Sequence, residues 1–145
     1  MANPTAAMLV IGDEILSGRT RDANAYLLAG ELTRVGIDLQ EIRVIPDVHD
    51  AIVDALNALR ATYSHVFTSG GIGPTHDDIT ADAVAATFGV SIGVREDALE
   101  LVQEAHARWG GTAPANTDHL RMARIPEGAA LIVYEQSGAP GFSLE

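Results

Sequence analysis

The chain has no cysteine, and it has no lysine either: all nine of its basic residues are arginine. Without cysteine there can be no disulfide, no thiolate nucleophile and no cysteine-ligated metal. Without lysine there is no P-loop, whose lysine reaches the β- and γ-phosphates, and no Schiff-base enzyme. Aromatic residues make up only 5% of the 145 positions. No apolar run approaches the roughly 20 residues that span a bilayer. The opening Met1-Ala2-Asn3-Pro4-Thr5 lacks the basic start of a secretory signal. A cytoplasmic protein with no membrane partner is therefore expected. Positive charge is scarce as well, and the formal net charge is −11. That balance argues against nucleic acid as a partner, because its backbone calls for a basic surface.

What is present centres on residues 68–80, Thr-Ser-Gly-Gly-Ile-Gly-Pro-Thr-His-Asp-Asp-Ile-Thr. This stretch follows a short apolar run, His65-Val66-Phe67, and precedes an alanine-rich helical pattern starting near Ala81. A glycine turn between a strand and a helix lets backbone N–H groups face an anion at close range. Gly70, Gly71 and Gly73 are the candidate phosphate donors, with Ser69 before them and Thr75 and Thr80 after. The spacing is not that of a Rossmann fingerprint, since counting from Gly71 puts His76 where a glycine belongs. Asp77 and Asp78 lie at the far side of the turn. They would repel a bare phosphate, but with a divalent cation between them they become a phosphate-handling pair.

The rest of the chain reads as alternating strands and helices. Ala6–Ile11 is a continuous apolar run of the kind that forms a buried parallel strand. Residues 12–18 read as a loop carrying Asp13, Glu14 and Ser17. A helix from Asp22 or Asn24 with Ala25, Leu28, Leu32 and Val35 on one face ends at Gly36. Ile37–Ile45 alternates as a strand, and a slip between Leu39 and Ile42 predicts a bulge. A helix over His49–Ala61 follows, buried through Ile52, Leu56 and Leu59, with Asp47 or Asp50 as its cap. His65–Ser69 is the third strand. Further helices are expected over 81–88, 96–109 and 115–124. Val90–Val94 is a possible strand, Leu131–Tyr134 a last core strand, and residues 138–142 a loop. This order indicates a doubly wound α/β sheet. Ligands of such sheets bind beyond the carboxyl ends of the strands, where the loops carrying Asp13, Asp47 and Asp78 begin. Each carboxylate also has a plainer reading. Asp47, Asp77, Asp78 or Thr80 would serve as helix caps, and Asp13 and Glu14 as a solvated loop. The histidines show no metal-ligand spacing.

Three motifs carry a resemblance: Ile11-Gly12-Asp13-Glu14-Ile15-Leu16-Ser17-Gly18, Asp22-x-Asn24, and Gly70-Gly71-Ile72-Gly73-Pro74-Thr75-x-Asp77-Asp78-x-Thr80. Together with Ala139-Pro140-Gly141-Phe142 they resemble the molybdopterin-binding domain family, most of all its branch of competence/damage-inducible protein CinA and stand-alone relatives. Where that branch often has Asn-Pro, this chain has Tyr134-Glu135-Gln136. The resemblance implies a three-layer α/β/α sandwich around a mostly parallel sheet, a single domain over residues 1–145 cut short at its C-terminal end, and a homo-oligomer, dimer or trimer. It implies that Asp78 and Asp47 are the catalytic carboxylates and that, with Asp77, they hold a divalent cation (Mg²⁺, Mn²⁺ or Co²⁺). Ser17, Ser69, Gly70, Gly71, Gly73, Thr75, Thr80, Asp13 and Glu14 are the expected ligand contacts. The implied activity is metal-dependent hydrolysis of ADP-ribose. The alternatives are a molybdopterin adenylyltransferase, with molybdopterin or a pterin nucleotide as ligand, and a non-catalytic binding module of a longer protein.

Overall fold

The computed structural model describes residues 2–111, 116–134 and 136–145. The chain divides into two compact units, Met1–Gly71 and Ile72–Glu145.

The first unit is built on a three-stranded parallel sheet in the order β2-β1-β3. Strand β1 (Thr5–Ile11) lies in the middle, and every residue from Ala6 to Ile11 is buried. A strand covered on both faces must be apolar at every position, which explains the unbroken run. Strand β2 (Asp38–Ile45) is an edge, and its residues alternate between exposed and half-buried. The expected bulge is there: Ala6 faces Leu39 and Ala7 faces Glu41, so Gln40 is the extra residue. Strand β3 (His65–Ser69) closes the other side.

A four-residue helix, α1 (Asp13–Leu16), stands where a loop was expected. Helix α2 (Asn24–Arg34) buries Leu32, but Val35 follows its end and is exposed, contrary to the predicted face. Helix α3 (His49–Thr62) buries Ile52, Ala55, Leu56 and Leu59, which recur at helical spacing. No side chain caps α3, so neither Asp47 nor Asp50 has the capping role expected of it.

The second unit packs helices against two small antiparallel ladders. Helix α4 (Thr80–Phe88) ends at Gly89, whose φ of 66° is left-handed. Strand β4 (Ile92–Val94) pairs with β5 (Arg124–Pro126). The helix expected over 115–124 overlaps β5 at Arg124, and no strand is expected at residues 125–126. Instead α6 spans only Thr117–Met122, capped by Asn116 in a reciprocal box with His119. The start expected at Ala115 lies outside the described residues. Helix α5 (Glu96–Arg108) contributes Ala98 and Val102 to a core with Ala123, Ile125 and Ala129. Strand β6 (Ala130–Ile132) pairs with β7 (Gly141–Ser143), a strand in place of the predicted loop. Leu131 packs on the core, whereas Ile132, Val133 and Tyr134 are exposed, so the last core strand is shorter than expected. A two-stranded ladder has only one face to bury, which leaves Ile132 on its outer side. The α/β class with a parallel sheet is borne out, and no helix among the described residues is long and apolar enough to cross a membrane.

One contact ties β2 to the end of α3. Glu41 accepts from Arg43 Nε at 2.7 Å and from the Tyr63 hydroxyl at 2.9 Å. The Arg43 guanidinium, and then the Tyr63 hydroxyl, hold the Glu41 carboxyl below its ordinary range. A carboxyl lowered on folding contributes stability above its unfolded value, and that contribution is lost as pH falls through the folded value. Tyr63→Phe is therefore expected to lower Tm at neutral pH and to flatten its decline below about pH 4.3. Thermal melts of both proteins between pH 3 and 7 check this, and parallel curves would contradict it.

Candidate functional site

Because β1 runs parallel to both neighbours, the carboxyl ends of all three strands reach the same edge of the sheet, and the loops leaving them meet there. The Gly12 N–H donates to the Ile45 carbonyl at 3.0 Å. One residue on, the loops exchange side-chain bonds. The Asp13 N–H donates to Asp47 Oδ2 at 3.0 Å, and the Asp47 N–H donates to Asp13 Oδ1 at 3.2 Å. Backbone donors are what allow two carboxylates to stay close, since each charge gains a charge-assisted bond. This bonding occupies Asp47 in place of a cap.

Glu14 folds back over Gly12, where a Cβ would lie 2.6 Å from Glu14 Oε1. Ser17 Oγ donates to the Glu14 carbonyl at 3.3 Å and accepts from Arg19 Nε at 3.1 Å. Ser69 closes β3 opposite Val10. Gly70 and Gly71 follow with φ of 92° and 71°. A Cβ at Gly70 would run into the Ile11 carbonyl oxygen, so the close approach of the two loops requires glycine there.

The second unit holds the remainder of the glycine stretch. Asp78 Oδ2 accepts from both the Thr75 N–H and the Thr75 hydroxyl, each at 2.8 Å, and the Asp78 N–H donates to the Thr75 carbonyl at 3.1 Å. The turn is thus closed by its own residues. Its carboxylate rests on Gly73, where a Cβ would come within 2.9 Å of Asp78 Oδ2. The residue before α4 is Ile79, and no side chain caps that helix. Asp77, Asp78 and Thr80 are therefore not its caps. Thr80 is fully buried as the first residue of α4. Asp77 is exposed and pairs with His76 Nε2 at 3.1 Å. Both Thr75 bonds go to Oδ2, so Asp78 Oδ1 takes no part in closing the turn.

Sequence reasoning missed Arg121. From α6 its Nη2 donates to the carbonyls of His76 at 3.0 Å and Asp78 at 3.3 Å. A separation of more than forty residues leaves no local signal for this bond. It also missed the meeting of His106 and His119, whose ring centroids lie 4.3 Å apart. Among the described residues no group of three or more His, Asp or Glu is gathered to hold a metal ion. Asp47 lies in the first unit, and Asp77 and Asp78 lie in the second.

A family model described as a probable molybdopterin binding domain matches residues 7–144. A CinA-like protein of Citrifermentans bemidjiense is 38% identical over 137 residues, which cover 94% of this chain and 32% of that protein. A probable FAD synthase of Caenorhabditis elegans is 46% identical over 124 residues, covering 86% of this chain and 22% of the relative. The crystal structure of the protein CinA from Thermoplasma acidophilum superimposes with a TM-score of 0.84 at 31% identity, covering 97% of this chain and 80% of that one. The chain spans about half the length of several of the curated relatives it matches, and 32% of the CinA-like one.

Two outcomes follow from the geometry. Gly70→Ala meets both a left-handed φ and the Ile11 carbonyl, so it should destabilise the protein by more than about 1 kcal/mol. Urea unfolding measures this, and an unchanged midpoint would contradict the close approach. Arg121→Ala should speed amide hydrogen exchange at residues 76–79, while Arg121→Lys restores part of the protection. Equal exchange in all three proteins would show that Arg121 does not hold the turn.

Proposed function

The chain belongs to the molybdopterin-binding-domain family, on its CinA-like branch, and from that premise we propose that it binds the phosphate portion of a nucleotide or pterin and hydrolyses ADP-ribose to AMP and ribose phosphate. The observation that carries the reading is the turn around Asp78. Two donors from Thr75 fix one carboxylate oxygen, the other takes no part in closing the turn, and both lie beside a glycine where no side chain intervenes. A carboxylate held this firmly needs little reorganisation when charge develops near it.

The residues suit a divalent cation that is shared with substrate. Mg²⁺ is commonly bound through one or two carboxylates, with waters and substrate phosphates completing its shell, so no three-ligand cage is required. Asp78 Oδ1 would hold the cation with help from Asp77, and Asp47 is proposed as the second catalytic carboxylate. When bound, Mg²⁺, Mn²⁺ or Co²⁺ would polarise a phosphoryl oxygen and acidify a water. The N–H groups of Gly70, Gly71 and Gly73 are proposed to neutralise charge on the phosphoryl oxygens. Ser17, Ser69, Thr75 and Glu14 would orient the ligand. In the reaction, water oxygen bonds to one phosphorus and the bridging P–O bond breaks. The bridging oxygen then leaves with the other phosphoryl group, and a proton passes to solvent.

A second reading is adenylyl transfer to a pterin, and the family model's description, which names molybdopterin binding, supports the pterin as ligand. The name of the probable FAD synthase likewise belongs with nucleotide chemistry. The experiment runs the readings side by side. ADP-ribose with each metal should give AMP, and Asp78→Asn should lower kcat by about 100-fold. No AMP above a metal-free control would exclude hydrolysis. Adenylated pterin formed from molybdopterin and ATP would move the assignment to the transferase. Calorimetric binding of ADP-ribose without turnover in either assay would leave a binding module.

A further inference from the structure

The helix that carries Arg121 is itself held by a histidine. Arg121 Nη2 reaches the carbonyls of His76 and Asp78 from α6, a helix of six residues. A helix this short has little stability of its own, so the bonds at its ends decide whether it forms. Asn116 Oδ1 accepts from the Asp118 and His119 N–H groups, each at 3.1 Å. In return the Asn116 N–H donates to His119 Nδ1 at 3.1 Å. The usual residue in that returning role is glutamate or glutamine. Histidine differs, because a proton can remove its acceptor.

A neutral imidazole accepts at one nitrogen, whereas an imidazolium has two donors and no acceptor. His119 accepts at Nδ1, so a proton added to the neutral ring goes onto the nitrogen that closes the box. The Asn116 N–H would then face another N–H. A second imidazole stands against the first: the His106 ring, from α5, lies 4.3 Å away between centroids at an inclination of 57°. His106 Nε2 is buried without a hydrogen-bond partner, and the ring lies over Gly111, where a Cβ would run into it. His106 is thus confined beside His119, and charge on both rings would set like charges next to each other. Of the other charged groups on the packed elements, Glu104 and Arg108 of α5 line a cavity with residues 133–140. Arg95 pairs with Asp97, and Arg124 with Asp82. Glu96 and Glu100 lie nearer the start of α5, and Asp118 lies in the first turn of α6. The turn held by Arg121 adds His76, paired with Asp77, and Asp78, bonded to Thr75. Histidine is the side chain whose ordinary charge change falls between pH 5 and 8, so His76 is the alternative that an experiment must separate.

We propose that His119 is a positioning residue for the Asp78 turn and makes the order of that turn sensitive to pH. Unprotonated, it closes the cap of α6, and Arg121 clamps the turn. Protonated, it opens the cap and releases the clamp. The stabilising bond is present at high pH and is lost as the ring takes up its proton. The device acts on the turn that the proposed function relies on, and its test needs no turnover, so either can fail without the other.

Amide hydrogen exchange at residues 77–79 is measured at pH 5 and pH 8, the limits of the histidine range. Each rate is compared with that of the unstructured chain at the same pH, which removes the intrinsic pH dependence. Protection in the wild type should fall about fivefold at pH 5, the worth of one helix cap. His119→Gln supplies an acceptor that does not titrate in this range. It should match the wild type at pH 8 and stay protected at pH 5. His119→Ala should show the reduced protection at both, and His76→Gln should keep the wild-type response. If His119→Gln fails to fold by circular dichroism, His119→Glu takes its place, since glutamate closes such boxes too. Equal wild-type protection at the two pH values, a response that survives in His119→Gln, or one that disappears in His76→Gln would each overturn the proposal.

Discussion

Burial of β1 on both faces, with a parallel partner on each side, is the constraint on which the first unit depends. An internal strand with two parallel neighbours has no polar position to spare, so Ala6 to Ile11 is apolar throughout. The same parallel arrangement makes the strand ends chemically useful. It sends Gly12, Asp47 and Gly70 out at one edge, where an antiparallel neighbour would have carried its loop to the other. The reciprocal Asp13–Asp47 bonds and the contact of Gly70 with Ile11 follow from that placement. Loops of different sequence origin are thereby fixed to each other by backbone groups, not by long side chains that would lose rotamer freedom.

Glycine acts in two distinct ways in these loops. At Gly70 the backbone needs a left-handed φ and close approach to another loop. At Gly12 and Gly73 the backbone is not left-handed, and glycine instead makes room for a carboxylate lying on the main chain. Glu14 and Asp78 each fold back onto a glycine a few residues earlier. A methyl group at either position would push the carboxylate away. The spacing Gly12-x-Glu14 and the run from Gly73 to Asp78 thus record the folding of a short acidic segment onto its own backbone. That gives the motif residues a local physical reason to occur together, independent of any ligand.

Legibility from sequence followed the range of the interaction responsible. The parallel strands, the bulge at Gln40 and helix α3 were readable because burial imposes periodicity on neighbouring residues. The burial of β1 was readable too, since a continuous apolar run marks a strand covered on both faces. The second unit was harder. Strands β5 and β7 have three residues each, too few to show a period, and the helical pattern before β5 reaches its first residue, Arg124. The cap assignments failed for a different reason. Asp47, Asp78 and Thr80 all have residue types that favour caps, but propensity is local, and each was overridden by a bond or burial that depends on structure. Arg121 marks the limit of the approach, because its acceptors are two carbonyls more than forty residues away.

The absence of lysine gains meaning when set beside this geometry. A protein that handles phosphate with lysine does so through a mobile ammonium group, which acts as a point charge. Here each unit carries its own bonded groups, Asp13 with Asp47 in the first and Thr75 with Asp78 in the second, all held by short-range bonds. Such a set cannot attract a polyanion from a distance, and a net charge of −11 opposes the approach further. Affinity for a phosphate-bearing ligand would then have to come from contacts made after arrival, and chiefly from a cation that arrives with the substrate. On the proposed reading, phosphate binding by this lysine-free chain is therefore expected to depend far more on divalent metal than on ionic strength, the reverse of a site built from basic side chains.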